Sequence, residues 1–462
     1  MKHRMTRRAF VRDAALSAAG AMVLANARSA RTYAANEKLN VALIGCGGRG
    51  KWYVDVMPKQ ANVVALCDVN ESKAQAAYQA LPDLPKFHDF REMLNKMSKQ
   101  IDGVMVAVPD HLHAFISVTV MKAGKHLFCE KPLTGCIQEA RVVRDVAAQN
   151  PKLVTRMGNQ GSASPQFRRG VELIEDGALG DIKEAFVWCE GGGSDAKEPP
   201  KGTQPVPPYL KWDLWLGPNK DRPFHSQWLN WNCWREFGTG LNGNRGSHSG
   251  YLTFYALKII DLWKADPAAK PRIKVRAETS GINRLSFPRW EAVHFQVPAR
   301  GALPPVAIHW VNGTAVPVWR QKIEEQMGRQ LDWGDAGEKK WKDYEGAVLV
   351  GAKGRLYAKG SNSGIELIPA EQFKDVGLSP QRLAPQNPGM PEPEWLGAIK
   401  GDKVTVMSPF SVAGPYTEMM LLGNLATQFD QELEYDPLEG KIVNNAEADA
   451  LLRRPYREAW SL

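Results

Sequence analysis

Apolar and polar positions along this chain keep one rhythm for about a quarter of its length and then lose it. From Leu39 to Gly158 short apolar runs alternate with amphipathic stretches. Strand-like "NVALI" and "NVVALC" are followed by helical "ESKAQAAYQAL" and "FREMLNKM". Then come the strand "IDGVMVAVP", the helix "HAFISVTVMKAG", the strand "KHLFCEKP", the helix "IQEARVVRDVAAQ" and the strand "KLVTRMG". Apolar runs separated by helices predict a doubly wound parallel sheet, an α/β Rossmann domain over residues 36–157. Beyond Gly158 the chain is rich in Trp, Gly and Pro, with isolated strand-like runs such as "KEAFVWCE", "AVHFQV" and "VAIHWV". A second domain over 158–462, built on a different plan, is expected there.

The first strand runs into Gly45, Gly47 and Gly50, the G-x-G-x-x-G spacing, and "KWYVDVM" can then open a helix. In such a loop the first glycine permits a tight turn. The second lets backbone approach a pyrophosphate, and the third lets helix and strand pack closely. The helix N-terminus attracts the phosphate charge. A glycine triplet alone is a weak signal, but the next strand ends in an acid, Asp68, 18 residues after Gly50. A carboxylate there accepts the ribose hydroxyls and repels an added phosphate, so NAD is expected over NADP. Gly45, Gly47, Gly48, Arg49, Gly50 and Asp68 are the expected cofactor contacts of this unit.

Composition then separates off the N-terminus. The chain has 462 residues, more than one core usually organises, and is 44% apolar and 24% charged. Residues 1–35 hold seven Lys/Arg against one Asp, ahead of a modestly apolar run too short to span a bilayer. "TRRAFVR", with Arg7, Arg8 and Phe10, resembles a twin-arginine export signal, so residues 1–35 are expected to be a signal peptide and the mature protein periplasmic or otherwise exported. Removing that segment lowers the net charge from +9 by 6, to +3. No lysine-arginine run, zinc-finger spacing or helix-turn-helix cue remains, and neither nucleic-acid binding nor membrane insertion is expected. The six cysteines contain no C-x-x-C pair, and no metal site is apparent; small apolar packing is their expected role.

The stretch "VPDHLHAFISVTVMKAGKHLFCEKPLTGC", with Glu130-Lys131-Pro132 as its signature, resembles the glucose-fructose oxidoreductase and inositol dehydrogenase family, Gfo/Idh/MocA. The likeness continues through "GALGDIKEAFVW", "WDLWLGP", "RPFH", "FGTGLNGNRGSH" and "LLRRPYREAW", and is nearest to that family's secreted bacterial branch. The resemblance implies that the second domain is α+β, a large open, mostly antiparallel sheet with helices on one side. It also implies a carbohydrate substrate and a homo-oligomer, dimer or tetramer.

Glu130-Lys131-Pro132 ends a parallel strand, where ligands of such sheets bind, so Glu130 and Lys131 are expected at the nicotinamide. A lysine beside an oxidised nicotinamide should have its pKa drawn down toward neutrality, as a proton shuttle requires. The family often has unusual geometry at the bond to Pro132, and a cis form would aim Lys131 inward. By the same resemblance the turn after Pro109 touches the nicotinamide ribose or ring, with His113 as the contact and His111 in solvent.

In the second domain, dehydrogenases of this family place an aspartate four residues before a histidine. Here His248 matches the histidine, but the aspartate position is Asn244. Asparagine can orient a hydroxyl yet cannot take up a proton. Lys131, His248 and Asn244 are the candidate catalytic residues. Five of the fifteen tryptophans, Trp212, Trp215, Trp228, Trp231 and Trp234, lie close together, and flat faces suit sugars; none is singled out, because tryptophans equally pin loops. The resulting expectation is an NAD-dependent oxidoreductase acting on a sugar, polyol or glycoside hydroxyl with a tightly bound cofactor. Two alternatives stand beside it: a glycoside-cleaving enzyme using transient oxidation and elimination, and a sugar-binding protein that has lost turnover.

Overall fold

The computed structural model describes residues 38–313, 317–333, 343–385 and 389–462. The expected signal peptide therefore lies outside the described residues. From Leu39 to Leu462 the chain forms one compact unit.

Its first part is a six-stranded, all-parallel sheet. In chain order the elements are β1 (Asn40–Ile44), α1 (Arg49–Gln60), β2 (Asn62–Cys67), α2 (Glu71–Ala80) and β3 (Lys86–Phe87). They continue with α3 (Phe90–Met97), β4 (Gly103–Val106), α4 (Asp110–Lys122), β5 (His126–Cys129), α5 (Ile137–Gln149) and β6 (Thr155–Met157). The strand order β3-β2-β1-β4-β5-β6 reverses direction between β1 and β4, and a ligand crevice opens at such a switch point. Every residue of β4 is buried, as strands covered by helices on both faces require. The helices start where the sequence supplies caps: Asn70 accepts from Lys73 N–H and Asp89 from Arg91 N–H. Strand β3 was not expected; two residues carry no period to read.

The second part is a nine-stranded sheet. Its strands are β7 (Ile182–Cys189), β8 (Ile273–Thr279), β9 (Glu291–Val297), β10 (Val306–Asn312), β11 (Glu345–Gly351), β12 (Gly354–Lys359), β13 (Ile365–Ile368), β14 (Leu433–Asp436) and β15 (Lys441–Ile442). They lie in the order β13-β12-β11-β7-β10-β9-β8-β14-β15. Only β7 and β10 run parallel; the other pairs are antiparallel. The expected α+β domain with a mostly antiparallel sheet is thus present, with one correction. Helices were expected on one side, yet both faces carry one. Ala185, Val187, Val293 and Phe295 share the main core with the buried helix Phe410–Ala426. Phe186, Trp188, Val311 and Tyr357 form a second core with Trp319, Ile323 and Met327 of the helix Pro317–Met327. Large apolar side chains alternate onto both faces of β7, so both need cover.

The chain end then returns to the first sheet. Arg454 pairs with the buried Glu139 of α5 at 2.6 Å and donates to His111 O at 3.0 Å, while Trp460 packs on Phe90 and Phe115. All six cysteines are free.

Candidate active site

The glycine loop is tight for specific steric reasons. Gly45 has φ +81°, and a Cβ there would lie 2.2 Å from Ala107 O. A Cβ on Gly50 would lie 1.9 Å from Gly45 O, so the third glycine is what lets α1 start directly against the loop. Gly48, at φ +49°, faces open space. Asp68, at the end of β2, accepts from Cys46 N–H at 2.7 Å and from Asn70 N–H at 2.8 Å. The acid therefore staples the glycine loop to the neighbouring strand end, a role that spacing alone does not show. Burial holds its carboxyl above the usual carboxylate range in spite of those donors.

From this loop a cavity of about 640 Å³ runs past Asp68 and Pro109 to Lys131, Asn244 and His248. Gly45, Gly47, Gly48, Arg49, Glu130 and Arg245 also line it. Gly50 does not line it and acts instead through packing. At the end of β5, Glu130 accepts from Arg49 Nε at 2.8 Å, from Tyr53 Oη, and from Lys131 N–H at 3.1 Å. The carboxylate so fixes Arg49 and the strand end together. The Lys131–Pro132 peptide bond is cis. Lys131 Nζ donates to Asn244 Oδ1 across the domain boundary. Burial foremost pulls the Lys131 ammonium below its ordinary value; Glu130 and Asp110 oppose this, and Arg245 and Arg49 add to it.

Asn244 sits in a π-helical turn, Asn242–Gly246, that leads into the helical turn Ser247–Ser249. Such turns widen a helix locally and are common at functional sites. Asn362 Nδ2 donates to His248 O at 2.7 Å and fixes the backbone, while the buried His248 Nδ1 has no hydrogen-bond partner among the described residues. Burial, then the charges of Lys131, Arg245 and Arg49, hold His248 well below the ordinary histidine value. It enters neutral, able to accept a proton or donate a hydrogen bond.

Both histidines after Pro109 depart from expectation. His111 is fully buried rather than solvated, between Trp215 O at 2.8 Å and Phe237 O at 3.2 Å, and burial lowers its pKa to about 3. His113 does not line the cavity. Its ring lies between Pro132 O at 2.7 Å and Val108 O at 2.9 Å, tying the β4 turn to the β5 turn. The residue of this turn that does face the cavity is Asp110. It is 1% exposed, accepts from Thr239 Oγ1 at 2.6 Å, and burial raises its carboxyl to about 7. Its place as first residue of α4, at a strand end, was a readable signal. Arg245 was readable too, lying between Asn244 and His248.

The tryptophans divide. Trp212, Trp215, Trp228 and Trp234 pack with Phe224 and Phe237 into a core of their own, while Trp215 and Trp231 also line the cavity. Among the described residues, no group of three or more His, Cys, Asp or Glu could hold a metal ion, and no helix is long and apolar enough to cross a membrane.

Residues 39–157 match the oxidoreductase family with an NAD-binding Rossmann fold, Gfo/Idh/MocA. That match spans the first domain. Similar proteins include a levoglucosan dehydrogenase from Pseudarthrobacter phenanthrenivorans, 28% identical over 159 residues, 32% of this chain and 39% of that protein. An inositol 2-dehydrogenase from Salmonella typhimurium is 26% identical over 149 residues, 31% of this chain and 43% of its own length. The chain thus spans well under half the length of the curated relatives it matches. Solved structures cover both domains. The WlbA dehydrogenase from Bordetella pertussis, in complex with NADH and UDP-GlcNAcA, has a TM-score of 0.56 at 15% identity, over 86% of this chain and 98% of that one. An inositol dehydrogenase homologue from Azotobacter vinelandii, complexed with NADH and myo-inositol, has a TM-score of 0.54 at 14% identity, over 87% and 98%. At these identities the likeness is one of fold.

Proposed function

We propose that this protein is an NAD-dependent oxidoreductase that removes hydride from a hydroxyl-bearing carbon of a sugar, polyol or glycoside. The observation that carries the reading is one continuous cavity joining the glycine loop and Asp68 to Lys131, Asn244 and His248. The loop fits a dinucleotide: it is a cradle that a Cβ on Gly45 or Gly50 would fill, opening on a helix N-terminus, with a carboxylate at the ribose position. When bound, the nicotinamide supplies the two-electron acceptor for the carbon being oxidised. Lys131, its ammonium disfavoured by burial, takes the hydroxyl proton. Asn244 holds the Lys131 Nζ in place and can orient the hydroxyl, and neutral His248 accepts a hydrogen bond or the proton from the same side. The relatives named for levoglucosan and inositol, and the neighbour holding myo-inositol, support a carbohydrate or polyol substrate. Among the described residues, no contact in the cavity favours the cleavage or binding-only reading over this one.

The twin-arginine motif supports export of the folded protein to the periplasm with its cofactor already loaded, and the family resemblance supports a dimer or tetramer. The test is to add a panel of sugars and polyols to the purified protein and follow reduced-nicotinamide absorbance, without and with added NAD. Reduction by at least one of them is expected. No reduction by any of them with NAD saturating would overturn the reading.

A further inference from the structure

We propose that the substrate end of the cavity is an anion subsite, built around Arg245, and that the substrate is an acidic carbohydrate bearing a carboxylate, such as a uronate. This deepens the oxidoreductase reading and rests on it for the identity of the cavity.

The charges lining that end do not balance. Lys131, Arg49 and Arg245 all face the cavity. Arg49 is matched by Glu130 at 2.8 Å. Lys131 has only the neutral Asn244 as a side-chain acceptor among the described residues. Arg245 reaches Glu345 through Nη1 alone, at 3.4 Å, longer than a good ionic hydrogen bond. Its Nε and Nη2 make no hydrogen bond among the described residues, and its side chain is 41% exposed. Glu345 is itself buried, does not line the cavity, and already accepts from Ser249 Oγ and from Ser361 N–H at 3.2 Å. Of the carboxylates facing the substrate end, Asp110 is tied to Thr239 and half neutral near pH 7. Arg245 thus keeps donors free toward the cavity beside a neutral His248, and any proton that Lys131 holds adds a second positive charge there.

The geometry suits a carboxylate. Arg245 lines the same cavity as Asn244 and His248, so its free donors share that space with the groups that would hold the reacting hydroxyl. A guanidinium with free donors binds carboxylate through two parallel hydrogen bonds, which also fixes the orientation of the ring that bears it. An oxidised nicotinamide is cationic, so a neutral substrate would leave the excess positive charge uncompensated and an acidic one would relieve it.

The experiment is calorimetric titration of matched sugars, D-glucuronate against D-glucose and D-galacturonate against D-galactose, into the NAD-saturated protein, the Arg245→Gln variant and the Arg245→Lys variant. The intact protein should bind an acid at least about 10-fold more tightly than its neutral partner, the least that charge-assisted hydrogen bonds supply. Arg245→Gln should abolish that margin while changing neutral-sugar affinity by less than about threefold, and Arg245→Lys should restore part of it, with charge but no fork. Equal affinity for both members of each pair, no binding of either acid, or a margin that survives in Arg245→Gln would overturn the proposal. Turnover, read separately, distinguishes the two claims. Tight acid binding with no reduction by the acids or by any sugar or polyol of the panel sinks the oxidoreductase reading alone, and a neutral sugar oxidised while the acids neither bind nor react sinks the anion subsite alone.

Discussion

Replacing Asp110 by Asn should stabilise the protein relative to wild type by an amount that grows as pH rises from about 4 to about 7 and then holds constant. The carboxyl is fully buried, and burial lifts it from its ordinary 3.8 to about 7 despite the hydrogen bond from Thr239. Between those values the folded chain keeps a proton that the unfolded chain has released, so wild-type stability is complete below 3.8 and is lost as pH rises through about 7. At 1.36 kcal/mol for each tenfold change in proton affinity, that loss is about 4 kcal/mol. The amide has no proton to lose, and its oxygen can still accept from Thr239 Oγ1, now 2.6 Å from the carboxylate oxygen. Glu291, raised to about 7 by burial, is present in both proteins and cancels in the comparison. Urea unfolding of both proteins at pH 4 and pH 8 is the assay. The difference in unfolding free energy should move in favour of the variant by about 2–4 kcal/mol between the two conditions. A difference that stays constant between pH 4 and pH 8 would refute the buried, proton-holding carboxyl. Catalysis gives a second readout. The Asp110 carboxylate supports the Lys131 ammonium, so without it Lys131 should release its proton at lower pH and the rising limb of kcat/KM should move toward acid.

Three further outcomes follow from the site. Lys131→Ala and His248→Ala should each lower turnover by about 10²- to 10⁴-fold while NAD stays bound, as shown by single-turnover rates beside cofactor titration; an unchanged rate in either variant removes that residue from the chemistry. Asp68→Ala should weaken NAD binding about 10-fold or more and narrow its margin over NADP, since the change removes the proposed ribose acceptor together with the staple to Cys46 N–H; equal NAD retention would count against the assignment. Gly50→Ala should cost about 1–3 kcal/mol by forcing backbone apart where a Cβ meets Gly45 O at 1.9 Å, and should weaken NAD as well; a thermal melt and a titration matching wild type would show that the loop yields freely.

The first domain was readable because its two periods are written into the chain: strands buried on both faces, helices between them, and glycines at the one turn where backbone meets backbone. What escaped the reading is what depends on distant partners. His111 reads as a solvated loop histidine and His113 as a cofactor contact until carbonyls from Trp215, Phe237, Pro132 and Val108 close around them. The parallel pairing of β7 with β10 and the cover on both faces of the large sheet are set by strands far apart in sequence, and nothing local marks them. The return of the chain end onto α5 and α3, through Arg454 and Trp460, was equally hidden, although it runs across the boundary that the change of period suggested.

Asn244 takes on a different meaning once its contact is known. Read alone, an asparagine where the resembled dehydrogenases carry an aspartate leaves a proton-handling set one member short. In the structure its carbonyl oxygen receives the Lys131 ammonium, so the lysine is oriented as it would be by a carboxylate but without the charge that would hold its proton. With burial, Arg49 and Arg245 all pressing the same way, the neutral acceptor leaves Lys131 easier to deprotonate. The same substitution removes a negative charge from a pocket in which Arg245 keeps free donors. A base that gives up its proton readily and a site that favours an anionic substrate are therefore two consequences of one residue. An Asn244→Asp variant should reverse both together, raising the pH at which activity appears and weakening the binding of acidic sugars, whereas movement of only one of them would separate the lysine's proton from the substrate's charge.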